Sequence, residues 1–457
     1  MKTLFFTVIW AALFGGVLSS CNKFLDERPL KSMVVPNTPD DLQALLDVHN
    51  NMVIASPDLP EVLADNYYVT FAHWNAANET NRMNYIWDAQ AVSEETWRYI
   101  YQGPVYYTNV VLDQLALMEP RRGEQPRHDE IRGTALFYRA FYFQQLAQLY
   151  CKPYSPSAGT DPGIPLRLTA AIEEPSVRST VKQTYERIIH DMQAALELLP
   201  AQTLFPTRPA KAAVYGALAR TCLSMGDYEQ AGTYADHCIA LHPHLMDYNL
   251  LPATDRPFPR FNEETIFYNN TTTVFSLLGS SRAKIDTILY RSYDDSDLRK
   301  QLFFRKNTGA NAGTYCFQGN YDGDLGPTRP FTGITTGEMY LIRAECHARA
   351  GRTEAALKDL NTLLVKRWRN DGSWTPVTAP DAAAALEYVL DERRKELVFR
   401  GLRWSDLRRL NQEGRNITLR RELNGQVYTL PPGDPRWVQL IPHEIINRSG
   451  MEQNERD

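Results

Sequence analysis

Apolar positions recur every three to four residues over 211–225, where Leu218, Cys222 and Met225 share a face. They do so again from Glu229 onward, where Ala231, Tyr234, Cys238 and Leu241 share one. That spacing is one side of an α-helix. The turn Gly226-Asp227-Tyr228 separates the two patterns, and Pro243 ends the second. Ala219 and Ala231 stand where two antiparallel helices must approach closely. The unit is a helical hairpin of tetratricopeptide type, a repeat of about 34 residues. Residues 341–364 repeat it in register: Ala344, Gly351 and Ala356 hold the offsets of Ala219, Gly226 and Ala231.

Helical patterning continues on both sides. Thr38, Pro39, Asp40 and Asp41 predict an N-cap, a proline in the first turn and two acids at the positive helix end. Helices are expected over 95–118 with a break at Gly103-Pro104, over 131–150, over 184–199, and as a pair over 381–409. In that pair Arg393 falls on the inward face with Leu386, Leu390 and Leu397, so it requires a carboxylate or carbonyl partner. The spacings Asp391 to Lys395 and Glu396 to Arg400 predict acid-before-base ion pairs at i,i+4. Asn424-Gly425 between 419–423 and 426–430 predicts a β-hairpin. Periodicity is lost over 65–90, which reads as a long structured loop, and over 242–335. The expected fold is mostly α: helical hairpins packed against an irregular, loop-rich region with minor β-hairpins. Its candidate binding loops lie near 60–95 and 244–335.

The chain has 457 residues, 43% hydrophobic and 23% charged, a globular balance rather than a disordered one. A net charge of −5 leaves no electrostatic footprint for nucleic acid. Six scattered cysteines do not make a disulfide framework, and Cys222, Cys238 and Cys346 on helix faces read as buried thiols. Lys2 precedes an apolar run over 4–18, too short for a comfortable membrane span, and Leu18-Ser19-Ser20-Cys21 follows directly. That ending resembles the lipobox of bacterial lipoproteins, which implies cleavage before Cys21 and acylation of its thiol and amine. Several acyl chains would anchor the protein stably. The expected division is 1–20 signal peptide, 21–37 lipidated tether and 38–457 a single domain. An uncleaved anchor and ordinary secretion are the alternatives.

The chain contains no His-Glu-x-x-His, Cys-x-x-Cys, phosphate-binding Gly-Lys loop or Gly-x-Ser-x-Gly. Asn320, Asp322 and Asp324 begin like a calcium loop, but Leu325 and Phe331 stand where glycine and the bidentate Glu are needed. His242 and His244 flank a proline beyond a helix end, a poor zinc pair, and Asp294, Asp295 and Asp297 read as a solvated acidic loop. No catalytic residue, metal or cofactor is expected. What remains is aromatic surface. A sugar ring stacks its C–H face on Trp or Tyr while its hydroxyls bond to Asp, Asn or Arg. Tyr68, Trp74, Trp87, Tyr290 and Tyr321 are the candidate stacking residues, with Asp65, Asn66 and Arg291 as polar partners.

Five runs carry a family resemblance. They extend from Cys21 to Pro29, from Arg132 to Phe143, from Leu341 to Gly351, from Glu392 to Arg408 and from Leu440 to Glu444. Together they resemble the SusD/RagB family of surface lipoproteins from Bacteroidetes. The resemblance implies an outer-membrane lipoprotein that binds an oligosaccharide, or in some cases a peptide, and delivers it to a SusC-like, TonB-dependent transporter without catalysis. One departure is Arg400, where the family commonly carries Glu. A tetratricopeptide-type interaction scaffold without a small ligand, and a surface glycosidase, are the competing readings.

Overall fold

The computed structural model describes residues 36–272, 276–323 and 329–456. The expected signal peptide, Cys21 and all but the end of the tether lie outside the described residues, as do Asp324 and Leu325.

The amino-terminal helix α1 (Pro39–Leu46) starts on a reciprocal cap. Thr38 Oγ1 accepts the Asp41 amide at 3.2 Å while the Asp41 carboxylate accepts the Thr38 amide. Helices α2 (Glu94–Ile100) and α3 (Tyr106–Leu117) are separated by a widened turn in which Gly103 leaves helical geometry ahead of Pro104. The long helix α4 (Gln125–Tyr150) starts before its apolar pattern does, because its first turns are not buried and carry no inward stripe. From Ile131 onward it is buried on nearly every side. Its Phe137, Tyr138 and Phe141 pack edge-on against Phe267.

Helix α5 (Val181–Leu198) lies along α4. Each following helix then packs on its predecessor: α6 (Lys211–Met225), α7 (Tyr228–Leu241), α8 (Thr336–Arg349) and α9 (Thr353–Leu364). Helix α10 (Ala382–Glu396) closes against α8 and α9, and α11 (Arg403–Gln412) follows. Both expected hairpins are present. Gly226 and Gly351 turn them with φ of +77° and +76°, a region costly for any residue with a Cβ. Ala219, Ala231, Ala344 and Ala356 are all fully buried at the crossings. A methyl placed on Gly232 of α7 would lie 3.0 Å from Cys346 Cβ of α8, so the two repeats meet almost backbone to backbone.

The strands form separate two-stranded ribbons. They are β1 (Tyr67–Tyr68) with β5 (Lys284–Ile285), β2 (Pro162–Pro165) with β3 (Arg178–Thr180), and β4 (Thr265–Phe267) with β8 (Ile334–Thr335). The others are β6 (Phe304–Lys306) with β7 (Tyr315–Phe317), and β9 (Leu419–Leu423) with β10 (Gln426–Leu430). Asn424 and Gly425 turn the last hairpin with φ of +51° and +80°, the geometry their pairing predicts.

Two expectations are corrected. Residues 65–90 are not a loop: β1 is followed by helices Phe71–Asn75 and Glu79–Tyr85, capped by the Thr70 and Asn78 side chains. Helices this short do not complete enough turns to show a period. The two ion pairs expected at i,i+4 do not form either. Lys395 pairs with Glu392, and Glu396 turns inward to Arg299 and Arg367. Arg400 lies over the Tyr321 ring, 3.8 Å from its centroid. The reason is that α10 ends at Glu396 and Phe399 adopts φ +58°, so residue 400 is off the helix. Arg393 does find its partner, Asp406 of α11, at 2.9 Å.

The loop-rich region is fastened to the repeats by a buried ionic cluster. Arg299 contacts Asp297 at 2.7 Å, Glu392 at 2.5 Å and Glu396 at 3.1 Å. Arg367, just past α9, contacts Glu396 at 2.8 Å and Glu264 at 2.6 Å. Both guanidiniums are fully buried.

Candidate functional site

The ribbon β1–β5 brings together two stretches far apart in sequence. Tyr67 pairs with Ile285 and Tyr68 with Lys284. Tyr67 and Ile285 are buried, which leaves Tyr68 half-buried on the other face, beside Lys284. Beyond β1, the helix Phe71–Asn75 carries an exposed Phe71 and a half-buried Trp74, their rings 5.8 Å apart. Trp74 Nε1 donates to the Arg82 carbonyl at 3.1 Å, fixing the indole.

Beyond β5, Asp286 caps the helix Thr287–Ser292 by accepting the Leu289 amide at 2.8 Å. That helix presents Ile288 and Arg291 to solvent and leaves Tyr290 half-buried. Tyr290 stacks on Tyr315 of β7, centroids 3.7 Å apart and planes 18° from parallel. Phe304 braces Tyr290 edge-on from the core side, and the Lys300 ammonium stands 5.4 Å from its ring centre. Burial, with the adjoining Tyr315 hydroxyl, pushes the Tyr290 phenol well above its ordinary value, so it is a neutral hydrogen-bonding group at physiological pH.

Of the residues singled out from sequence, Tyr68, Trp74, Tyr290 and Arg291 are half-buried or exposed on the two segments that the β1–β5 ribbon joins. Asp65 lies at its base and pairs with Arg403 at 2.8 Å and Arg394 at 3.2 Å. Burial opposes its ionisation, but the two guanidiniums outweigh that and hold the carboxyl well below the usual range. The remaining three are interior. Asn66 donates to Glu61 Oε1 at 2.8 Å; Trp87 Nε1 donates to the Leu63 carbonyl at 2.9 Å beneath Arg421. Tyr321 donates to Glu264 at 3.2 Å and is covered by Arg400. Each of the three is 1% exposed, so none can meet a surface ligand, and they serve as framework. Phe71 and Tyr315 belong to the face, with Lys284 buried beneath it, but none of the three was singled out. Phe71 precedes Trp74 by three residues, a signal visible once a helix is assumed; nothing local marks the other two.

A cavity of about 550 Å³ lies elsewhere, beside the end of α4, between the loop holding Lys152 and the carboxy-terminal segment holding Trp437 and Asn454. Its polar walls are largely committed. The Arg408 guanidinium bonds to the carbonyls of Gln148 and Cys151, Trp437 Nε1 to Pro431, and Asn454 to Tyr150 and Gln439. The aromatic face is the better ligand surface because Phe71 is exposed there and Trp74, Tyr290 and Tyr315 are only half-buried.

Among the described residues no group of His, Cys, Asp or Glu is arranged to hold a metal ion. His242 Nδ1 contacts Thr336 Oγ1 at 3.0 Å rather than a shared metal position with His244. Asp294, Asp295 and Asp297 are spent on the Ser296 amide, Lys300 and Arg299 respectively.

A stack of helical hairpins that holds out an aromatic face on separate loops defines a class of binding scaffold. The sequence matches a SusD-like family model described as starch-binding, associating with outer membrane, over residues 23–223, and the SusD family model over 262–448. The chain belongs to the SusD/RagB family. It is 23% identical over 343 residues to SusD-like protein P2 of Formosa agariphila, a match spanning 63% of this chain and 66% of that relative. Among solved structures it resembles a SusD superfamily protein from Bacteroides thetaiotaomicron, with a TM-score of 0.75 at 21% identity, over 92% of this chain and 100% of the other. A SusD-like carbohydrate binding protein from Bacteroides vulgatus matches with a TM-score of 0.66 at 21% identity, over 90% and 97%. No helix among the described residues is long and apolar enough to cross a membrane.

Proposed function

We propose that this protein captures an oligosaccharide nutrient at the cell surface and passes it to a SusC-like, TonB-dependent transporter, anchored in the outer membrane through acylated Cys21. It performs no chemistry on its cargo. The observation that carries the reading is the half-exposed Tyr290–Tyr315 stack, in a segment that the β1–β5 ribbon joins to Tyr68 and to the helix bearing Phe71 and Trp74. Rigid aromatic rings held by core contacts offer flat apolar area at little entropic cost. Beside them Arg291 and the two phenols supply hydrogen-bonding groups for ring hydroxyls. Family membership supports the uptake role, and the carbohydrate-binding relative supports the cargo.

Titration calorimetry with a glycan panel and peptide pools tests the cargo. Tyr290→Ala should weaken glycan binding about fivefold or more, taking the roughly 1–3 kcal/mol of a base stacked on an aromatic side chain as the guide. Binding confined to peptides, or unaffected by that substitution, would refute this site. Purification from membranes should recover a large TonB-dependent partner.

A further inference from the structure

The charge on the aromatic face is unbalanced. Lys284 is 2% exposed. Its ammonium donates to the Arg282 carbonyl at 3.2 Å and lies 3.5 Å from His73 Nδ1. No carboxylate of the described residues pairs with it. Burial lowers its proton affinity, opposed only by the Cys316 thiol. Among the described residues the Arg282 guanidinium reaches only the Ser276 carbonyl, at 3.5 Å. His73 is itself held below its usual value by burial and by the charges of Lys284 and Arg282. Further along the face Arg291 is exposed with no ionic partner among the described residues.

The acids nearby are committed. Asp286 caps a helix and faces Arg394 at 3.8 Å; Asp65 is held by Arg403 and Arg394; Asp295 is held by Lys300. A chain of net charge −5 therefore concentrates unmatched cations beside Tyr68 and Trp74. A buried ammonium without a counter-ion is unfavourable for folding, and an arriving anion would relieve it.

We infer that the oligosaccharide bound here is acidic, with an anionic substituent seated against Arg282 and His73 above the Lys284 ammonium. A uronate carboxylate and a sulfate ester both present the required oxygens. The inference rests on the glycan-binding reading of this face and specifies its substrate class.

Calorimetry on the mature chain with three sets of ligands separates the two statements: neutral oligosaccharides, unsulfated oligouronates, and sulfated oligosaccharides. One or both acidic sets should bind better than the neutral set, and which one binds identifies the substituent. The affinity should fall severalfold between about 50 mM and about 500 mM salt. Lys284→Gln should lower acidic-glycan affinity about tenfold, the loss of one nearby charge, without lowering the melting temperature. Arg282→Gln, at a less buried position, should act in the same direction and serves if Lys284→Gln does not fold. Preference for neutral ligands, or affinity unchanged in the substituted proteins, overturns the inference and leaves the glycan reading standing. Failure of all three sets overturns both.

Discussion

The buried cluster around Arg299 and Arg367 makes a prediction whose size follows from its connectivity. Three cations, Arg299, Arg367 and Lys395, face four carboxylates, Asp297, Glu264, Glu392 and Glu396. Glu396→Ala removes the acid shared by both guanidiniums, yet leaves three charges of each sign. Arg299 keeps Asp297 and Glu392, and Arg367 keeps Glu264 and the Met246 carbonyl. Glu264, raised in proton affinity by burial and further by the Glu396 charge, is also relieved. The cost should fall at the low end for breaking a buried pair, about 3 kcal/mol. Arg367→Ala instead leaves Glu264 with no cation and Glu396 with only Arg299, so it should cost about 5 kcal/mol. As a control, Glu422→Ala breaks the exposed pair with Arg420 and should cost less than about 1 kcal/mol. Urea unfolding followed by circular dichroism and by tryptophan fluorescence gives all three, provided the probes coincide. The order Arg367, then Glu396, then Glu422 is the content of the prediction. Losses below about 1 kcal/mol at both Arg367 and Glu396 would refute the claim that this cluster ties the loop-rich region to the repeats, and equal losses would refute the connectivity from which the order was worked.

Glu61 is raised to about 7 by burial, against the pull of its bonds from Asn66 and the Gly401 amide. Its folded value exceeds the unfolded one, so the folded chain holds the proton more tightly and stability should fall as pH rises from about 4.5 to about 7, then level off. Glu61→Gln should flatten that slope in denaturation series run from acid to neutral pH; an unchanged slope would count against the assignment. Arg400 has ring contacts but no carboxylate among the described residues. Arg400→Met should therefore be neutral or stabilising by about 1–3 kcal/mol in thermal unfolding, and a clear loss would mean the charge is compensated.

The two hairpins, the cap at Thr38, the break at Gly103-Pro104 and the turn at Asn424-Gly425 were legible because each is a local event. A 3.6-residue period, a side chain that satisfies an amide three residues on, and a backbone angle that glycine or asparagine tolerates are all written within a few positions. The helices Phe71–Asn75 and Glu79–Tyr85 escaped that test because they are too short to repeat a pattern. The site was legible only as regions. Trp87 and Trp74, or Tyr321 and Tyr290, have the same chemistry in the same kind of sequence, and nothing local says which ring is covered.

Sequence alone determined the helical repeats, the polar and aromatic character of the intervening segments, and the requirement that Arg393 find a carboxylate or carbonyl. Only the tertiary structure decided which one, and which aromatics face outward. It set Tyr68 beside Lys284 through a strand pairing, and it turned Glu396 away from Arg400 into a cluster drawn from several segments. The physical reason is one of range. Period and capping act over a turn or two of chain, whereas burial and charge pairing depend on whichever distant segments the packed core brings within a few ångströms.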